Sequence, residues 1–152
     1  METTKNKTTL LIMAAGMGSR FGSLKQLALL GPHKKTLLHY SIYDAVHAGF
    51  DKIVFIIRRS FENEFKEAVG KYAESLVETV YCFQEMDQLP GNLPPIQREK
   101  PWGTAHAIWA AKDHIHEPFI AINADDFYGR DAFVKMHDFV ASNSDERCFS
   151  LA

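Results

Sequence analysis

LIMAAGMGSRFGSLKQ, residues 11–26, sets an apolar run directly against a segment with three glycines, an arginine and a lysine. Leu10 to Met13 reads as a short strand buried on both faces, and the glycines begin just beyond it. A strand that runs into a glycine loop opens many phosphate-binding α/β sheets, so the kind of loop decides the fold type. A dinucleotide fingerprint needs G-x-G-x-x-G opening straight into a helix, with an acid at the end of the second strand. Gly16 and Gly18 fit, but Phe21 takes the third position and Gly22 comes one residue late. The next clear helix starts only near Thr36, and Arg58-Arg59 stands where the acid would be. The Walker pattern fails too, because Ser23 and Leu24 follow Gly22 and Lys25 arrives too late. What remains is a long glycine loop with two cations. Successive N–H groups at glycines can turn inward around an anion, Arg20 can grip phosphate oxygens with its planar fork, and Lys25 adds a point charge. Those parts suit a triphosphate, although an ordinary βα connection with solvated cations would share the composition.

Outward from this loop, short apolar runs alternate with stretches at helical spacing. Ile53 to Ile57, Val77 to Phe83 and Phe119 to Ile122 read as further strands covered on both sides by helices. Leu37, Leu38, Ser41, Ile42, Ala45 and Val46 follow the three/four rhythm of a helix, which Gly49 closes. The pattern repeats at Phe61 to Val69 before Gly70, at Thr104 to Asp113 before Pro118, and at Ala132 to Val140. This βαβα order predicts an α/β fold with a Rossmann-like, doubly wound, mostly parallel sheet. A long irregular segment with four prolines, Gln84 to Pro101, interrupts it, and loops of that length usually have a function. Residues 1–8 are expected to be a flexible start, and 9–152 a single domain. The last residues, from Arg147, begin like a strand and stop, as a chain does when cut within a fold.

Composition narrows the partners. The 152 residues, 46% of them hydrophobic, can bury roughly two thirds of the unfolded surface in one core. A net charge of -2 with a pI near 6.4 leaves no basic footprint for nucleic acid. Cys82 and Cys148 lie far apart without CxxC spacing, which fits a reducing cytosol. The apolar run after METTKNKTT is cut by Gly16 and Arg20, too short for a signal segment or a membrane span, so a cytoplasmic protein without a membrane partner is expected.

Three ordered motifs carry a family resemblance. MAAGMGSRFGSLKQ (13–26) resembles the glycine-rich signature of sugar-1-phosphate nucleotidyltransferases. KPWGTAHAIWAAKD (100–113) is similar to their helix start, and INADDFYG (122–129) to their strand-end metal aspartate. The closest look is to bacterial nucleotidyltransferases with no assigned acceptor, so no acceptor is inherited. The resemblance implies the nucleotide-diphospho-sugar transferase type of fold. It also implies a Mg2+-dependent reaction in which a nucleoside triphosphate and a sugar 1-phosphate give a nucleoside-diphosphate sugar and pyrophosphate. Oligomeric state and base are left open.

Residue by residue, the expectations are these. Asp125 or Asp126 would hold Mg2+, since a carboxylate at the carboxyl end of a buried strand suits a hard cation that takes its other ligands from water and phosphates. Asp125 is preferred because it follows a small residue, with Asp126 as a neighbouring acceptor or as the ligand in a shifted register; a plain polar turn would use the same residues. The resemblance implies that Ala14, Ala15 and Gly16, with Gly18 and Ser19, present backbone to the nucleotide, that Gly103 and Thr104 form a helix start against the base, and that Gln84 reads it. Relatives put only a few residues between that glutamine and glycine, whereas 18 intervene here. Arg20 would stabilise the departing β and γ phosphates, and Lys25 the α or acceptor phosphate, in a single in-line displacement. Ala105, Ile108 and Trp109 read as a face packed on the sheet, with His106 within reach of ligand. His33, His39, His47, His114, His116 and His137 lack partners at metal spacing, and Arg58-Arg59 reads as a solvated strand end. Two rival readings stand beside this one: a non-sugar acceptor such as a phosphorylated alcohol or a molybdenum cofactor, and a nucleotide-binding module without turnover.

Overall fold

The computed structural model describes residues 7–16, 29–91, 93, 94, 96, 97, 99 and 102–143. Four parallel strands form its centre: β1 (Thr9–Met13), β4 (Lys52–Ile57), β5 (Glu78–Phe83) and β6 (Phe119–Asn123), in the spatial order β5-β4-β1-β6. A small antiparallel hairpin, β2 (Leu29–Leu30) with β3 (Lys35–Thr36), precedes helix α1 (Leu37–Ala48). Among the described residues no helix is long and apolar enough to cross a membrane.

The alternation of side chains along the strands assigns each helix to a face. Leu10 and Ile12 of β1, with Ile53, Phe55 and Ile57 of β4, pack on one side against Leu38, Ile42 and Ala45 of α1. That side also carries Phe65 of α2 (Glu62–Phe65), Ala73 of α3 (Lys71–Glu74), and Phe133 and Val140 of α5 (Arg130–Ser142). Leu11, Val54, Ile56 and Cys82 face the other way and meet Ala107 of α4 (Thr104–Trp109) and Ala111. Helices therefore cover both faces, as the doubly wound reading requires, and all six residues of β4 are buried. Thr8, just before β1, is also fully buried and exchanges backbone and side-chain hydrogen bonds with Asp51.

Three local expectations need correction. Gly70 does not end the second helical stretch: a π-helical turn, Lys66–Gly70, joins α2 to α3, and Gly70 itself has helical angles. Its missing side chain makes room for the Tyr81 hydroxyl, which a Cβ there would overlap. Helix α4 stops at Trp109, because the bonds Ala111 to Ile108, Lys112 to Trp109 and His114 to Ala111 tighten the chain into i→i−3 turns. The His114 carbonyl is then taken by the Lys52 ammonium at 2.5 Å. Strand β6 is covered on one face only: Ile122 packs on the α1 and α5 side, while Phe119, Ala121 and Asn123 remain exposed.

Candidate functional site

The winding of the sheet reverses beside β1. The chain proceeds β1, β4, β5 in one direction, then crosses through α4 on the opposite face to lay β6 on the far side of β1. Ligands of open α/β sheets bind outside the carboxyl ends of the strands at such a reversal. Met13 and Asn123 are in register there, and the ladder runs one step further through the bond from Ala124 N–H to the Met13 carbonyl at 3.1 Å. The start of the glycine loop and the INADD turn thus leave the sheet side by side.

Ala14 and Ala15 split between the two cores and are buried at 3% and 4% exposure, so only their backbone can meet a ligand. The Ala14 N–H is already bonded to the Ile56 carbonyl at 2.8 Å. Gly16 is exposed, and a Cβ built on it would meet nothing within 4 Å. Gly18, Ser19, Arg20 and Lys25 lie outside the described residues.

Across the same edge, Gln84 follows β5 and is 8% exposed. Its N–H joins the ladder at the Ile57 carbonyl. Its side-chain amide donates to the Trp102 carbonyl at 2.9 Å, leans on the Gly103 carbonyl at 3.4 Å and lies 3.3 Å from His106 Nδ1. The 18 residues between Gln84 and Gly103 therefore loop out and bring the two into contact. Trp102 Nε1 donates to the Met86 carbonyl at 3.0 Å, and His106 Nε2 reaches the Gln88 carbonyl at 2.5 Å, which ties the start of this loop to the start of α4. With Nε2–H donating to Gln88, Nδ1 of His106 is the acceptor for Gln84. His106 is thus a strut between loop and helix, its ring set between Trp102 and Trp109 at centroid distances of 6.0 and 5.4 Å. Gly103 enters α4 at φ -70° with open space around it, and Thr104 is the first helical residue. Both are exposed.

Asp125 and Asp126, both exposed, differ in their bonds. Asp126 Oδ2 accepts from Asn123 Nδ2 at 2.8 Å and from the Tyr128 hydroxyl at 3.4 Å, and that hydroxyl accepts the Asn123 N–H at 3.0 Å. No described residue makes a hydrogen bond or ion pair with the Asp125 carboxylate. Burial, together with the Asp126 and Asp125 charges, pushes the Tyr128 pKa up against the opposing pull of the Asn123 N–H. Among the described residues no three acidic, histidine or cysteine side chains gather into a metal cage. One open carboxylate suits a hard cation that keeps waters and shares phosphate oxygens.

Other chemistry-bearing groups are inert, lie away from this edge or are engaged by neighbours. Cys82 is buried and its thiol is pushed up to about 11, chiefly by burial, which leaves no thiolate for nucleophilic work. Arg59, expected as part of a solvated strand end, instead lies over the Phe83 ring at 4.0 Å and 3.7 Å from Glu85, just past β4. His114 and His116 are exposed. Tyr128 and Asn123 escape a reading of the sequence, because their roles are hydrogen bonds across a tight turn and not a spacing of ligands.

The family profile for nucleotidyl transferase matches residues 9–151. The UTP–glucose-1-phosphate uridylyltransferase of Bacillus subtilis (strain 168) is 28% identical over 130 residues, which are 76% of this chain and 43% of that protein. The bifunctional protein GlmU of Staphylococcus haemolyticus is 30% identical over 107 residues, 70% of this chain and 19% of that protein. The crystal structure of a UDP-glucose pyrophosphorylase complexed with UDP-glucose superposes with a TM-score of 0.58 at 22% identity, over 88% of this chain and 53% of that one. The chain thus spans less than half the length of these two curated relatives.

Proposed function

The chain belongs to the nucleotidyl transferase family, and from that premise we propose that the protein transfers a nucleotidyl group from a nucleoside triphosphate to a sugar 1-phosphate, with Mg2+ as cofactor. The observation that carries this reading is the register at the carboxyl edge of the sheet, where the Ala14–Gly16 turn adjoins the open Asp125 carboxylate and Gln84 meets Gly103 on the opposite flank. An oxygen of the acceptor phosphate attacks the α-phosphorus; the bond to the β-phosphate oxygen breaks, and pyrophosphate leaves with that electron pair. Bound to Asp125, Mg2+ would supply positive charge to nonbridging phosphate oxygens. Arg20 holds the departing pyrophosphate and Lys25 the α or acceptor phosphate, so that the chain contributes position and charge and no covalent intermediate.

Base and acceptor follow from narrower arguments. Because Gln84 Nε2 is engaged with the Trp102 and Gly103 carbonyls and with His106 Nδ1, its Oε1 is left to accept from an N–H on the base, as the uracil ring offers. Gly103 has an ordinary φ and free space, so the fold does not require glycine there; close approach of a base to the backbone would. The name of the Bacillus subtilis relative supplies the first pair to try, UTP and glucose 1-phosphate.

The test is pyrophosphate release by the full chain with each of ATP, GTP, CTP, UTP and dTTP plus glucose 1-phosphate, with and without Mg2+. Asp125→Asn, Arg20→Ala and Lys25→Ala should each lower turnover about a hundredfold, the usual cost of one transition-state contact of about 3 kcal/mol, with an unchanged circular dichroism spectrum. Variants that keep wild-type rates would remove these roles. Nucleotide binding without turnover would leave the protein a binding module.

A further inference from the structure

Among the described residues β6 pairs with β1. N–H groups along a strand alternate sides, and since the Ala124 N–H turns toward Met13, that of Asn123 points away from β1. A strand end with an unmatched N–H frays or finds another acceptor. Here the acceptor is the Tyr128 hydroxyl at 3.0 Å, brought back by a five-residue turn. The Tyr128 ring is fixed in turn: it packs on the main core and meets Phe133 of α5 edge-on, with centroids 6.1 Å apart at 70°. The hydroxyl proton then points to Asp126 Oδ2, which also takes the Asn123 amide. Both ends of the turn are thereby closed by side chains, and of the two adjacent carboxylates only Asp125 stays uncommitted among the described residues.

We propose that Tyr128 is a positioning residue of the nucleotidyl-transfer site: with Asn123 it ties Asp126 down at the end of β6, so that Asp125 is the carboxylate presented to the divalent cation. This rests on the assignment of Asp125 to Mg2+ above. Tyr128→Phe keeps the ring on Phe133 but removes both hydroxyl bonds. Asn123→Ala removes the amide bond to Asp126 and keeps the hydroxyl bond to the backbone.

The experiment is Mn2+ binding to the full chain in the presence of UTP, followed by water-proton relaxation, with thermal melting of every variant. Wild type should bind Mn2+, and Asp125→Ala should abolish that binding. Tyr128→Phe and Asn123→Ala should each weaken it about tenfold, the usual effect of removing an outer support of a metal ligand, with melting temperatures within a few degrees of wild type. Wild-type Mn2+ affinity in both supporting variants overturns the proposal, as does a loss of melting temperature alone. If Tyr128→Phe does not fold, Asn123→Ala decides. Absence of Mn2+ binding in wild type, or its persistence in Asp125→Ala, defeats the metal assignment itself, and the role of Tyr128 falls with it.

Discussion

Glu117 lies at the opposite, amino-terminal edge of the sheet, and replacing it by glutamine should cost stability without touching the candidate site. Its carboxylate accepts from the Thr9 hydroxyl on β1 and from the His116 N–H at 3.1 Å. The Lys52 ammonium on β4 lies 3.0 Å away, with side chains 11% and 18% exposed. Burial by itself pushes the Glu117 pKa up, but the bonds from Thr9, Lys52 and His116 outweigh it and hold the value at about 2, against an ordinary 4.5. At full strength that gap is worth about 3 kcal/mol; allowing for the exposed part of the carboxylate and for relaxation of Lys52 toward Glu78, a loss of about 2 kcal/mol is expected at pH 7. For a chain of this size that lowers the melting temperature by roughly 4–8 °C. Because the folded pKa lies below the unfolded one, the contribution is complete above pH 4.5 and disappears as pH falls through about 2. Urea unfolding of wild type and Glu117→Gln at pH 7 and pH 3 measures both parts: the difference between the two proteins should shrink at pH 3 to less than half its neutral value. Equal stabilities at pH 7, or a difference that does not change with pH, would refute the assignment of the low pKa to this network.

Three further outcomes can be measured on the same footing. Gly70→Ala gains helix propensity but drives a Cβ into the Tyr81 hydroxyl, itself bonded to Glu74 at 2.7 Å, so thermal melting should show a net loss of about 1–2 kcal/mol; a more stable variant would contradict the close approach. His137 is buried on α5, edge-on to Phe50, and neither ring nitrogen has a hydrogen-bond partner among the described residues, so His137→Leu should stabilise by about 1 kcal/mol in urea unfolding. Gly103→Ala should change stability by less than about 1 kcal/mol yet weaken UTP tenfold or more in calorimetry, and unaltered affinity would mean that no base approaches this backbone.

What could be read from the chain divides along a physical line. Strands β1 and β4 are legible because their burial comes from both faces, which leaves unbroken apolar runs, and α1 because its C-terminal Gly49 adopts φ 115°, a conformation other residues resist. Gly70 looks the same in one dimension, but its reason is a tyrosine on β5 eleven residues away, and only the packed structure distinguishes a glycine that ends a helix from one that admits a neighbour. Likewise α4 has the periodicity of a longer helix, but the chain after Trp109 tightens into i→i−3 turns whose end, the His114 carbonyl, is held by Lys52, a residue of a strand from which periodicity carries no information. At the site, the sequence names Gln84, Gly103 and the aspartate pair, but not how Gln84 reaches Gly103 across 18 residues; Trp102 and His106, which fasten the start of that loop to the start of α4, supply the closure. The difference between Asp125 and Asp126 is written in the same way. Spacing treats the two carboxylates as equivalent, whereas Asn123 and Tyr128 bond Asp126 and no described residue bonds the Asp125 carboxylate. Local pattern thus reveals which groups gather at the sheet edge, and the division of labour among them is written in contacts between residues that no periodicity connects.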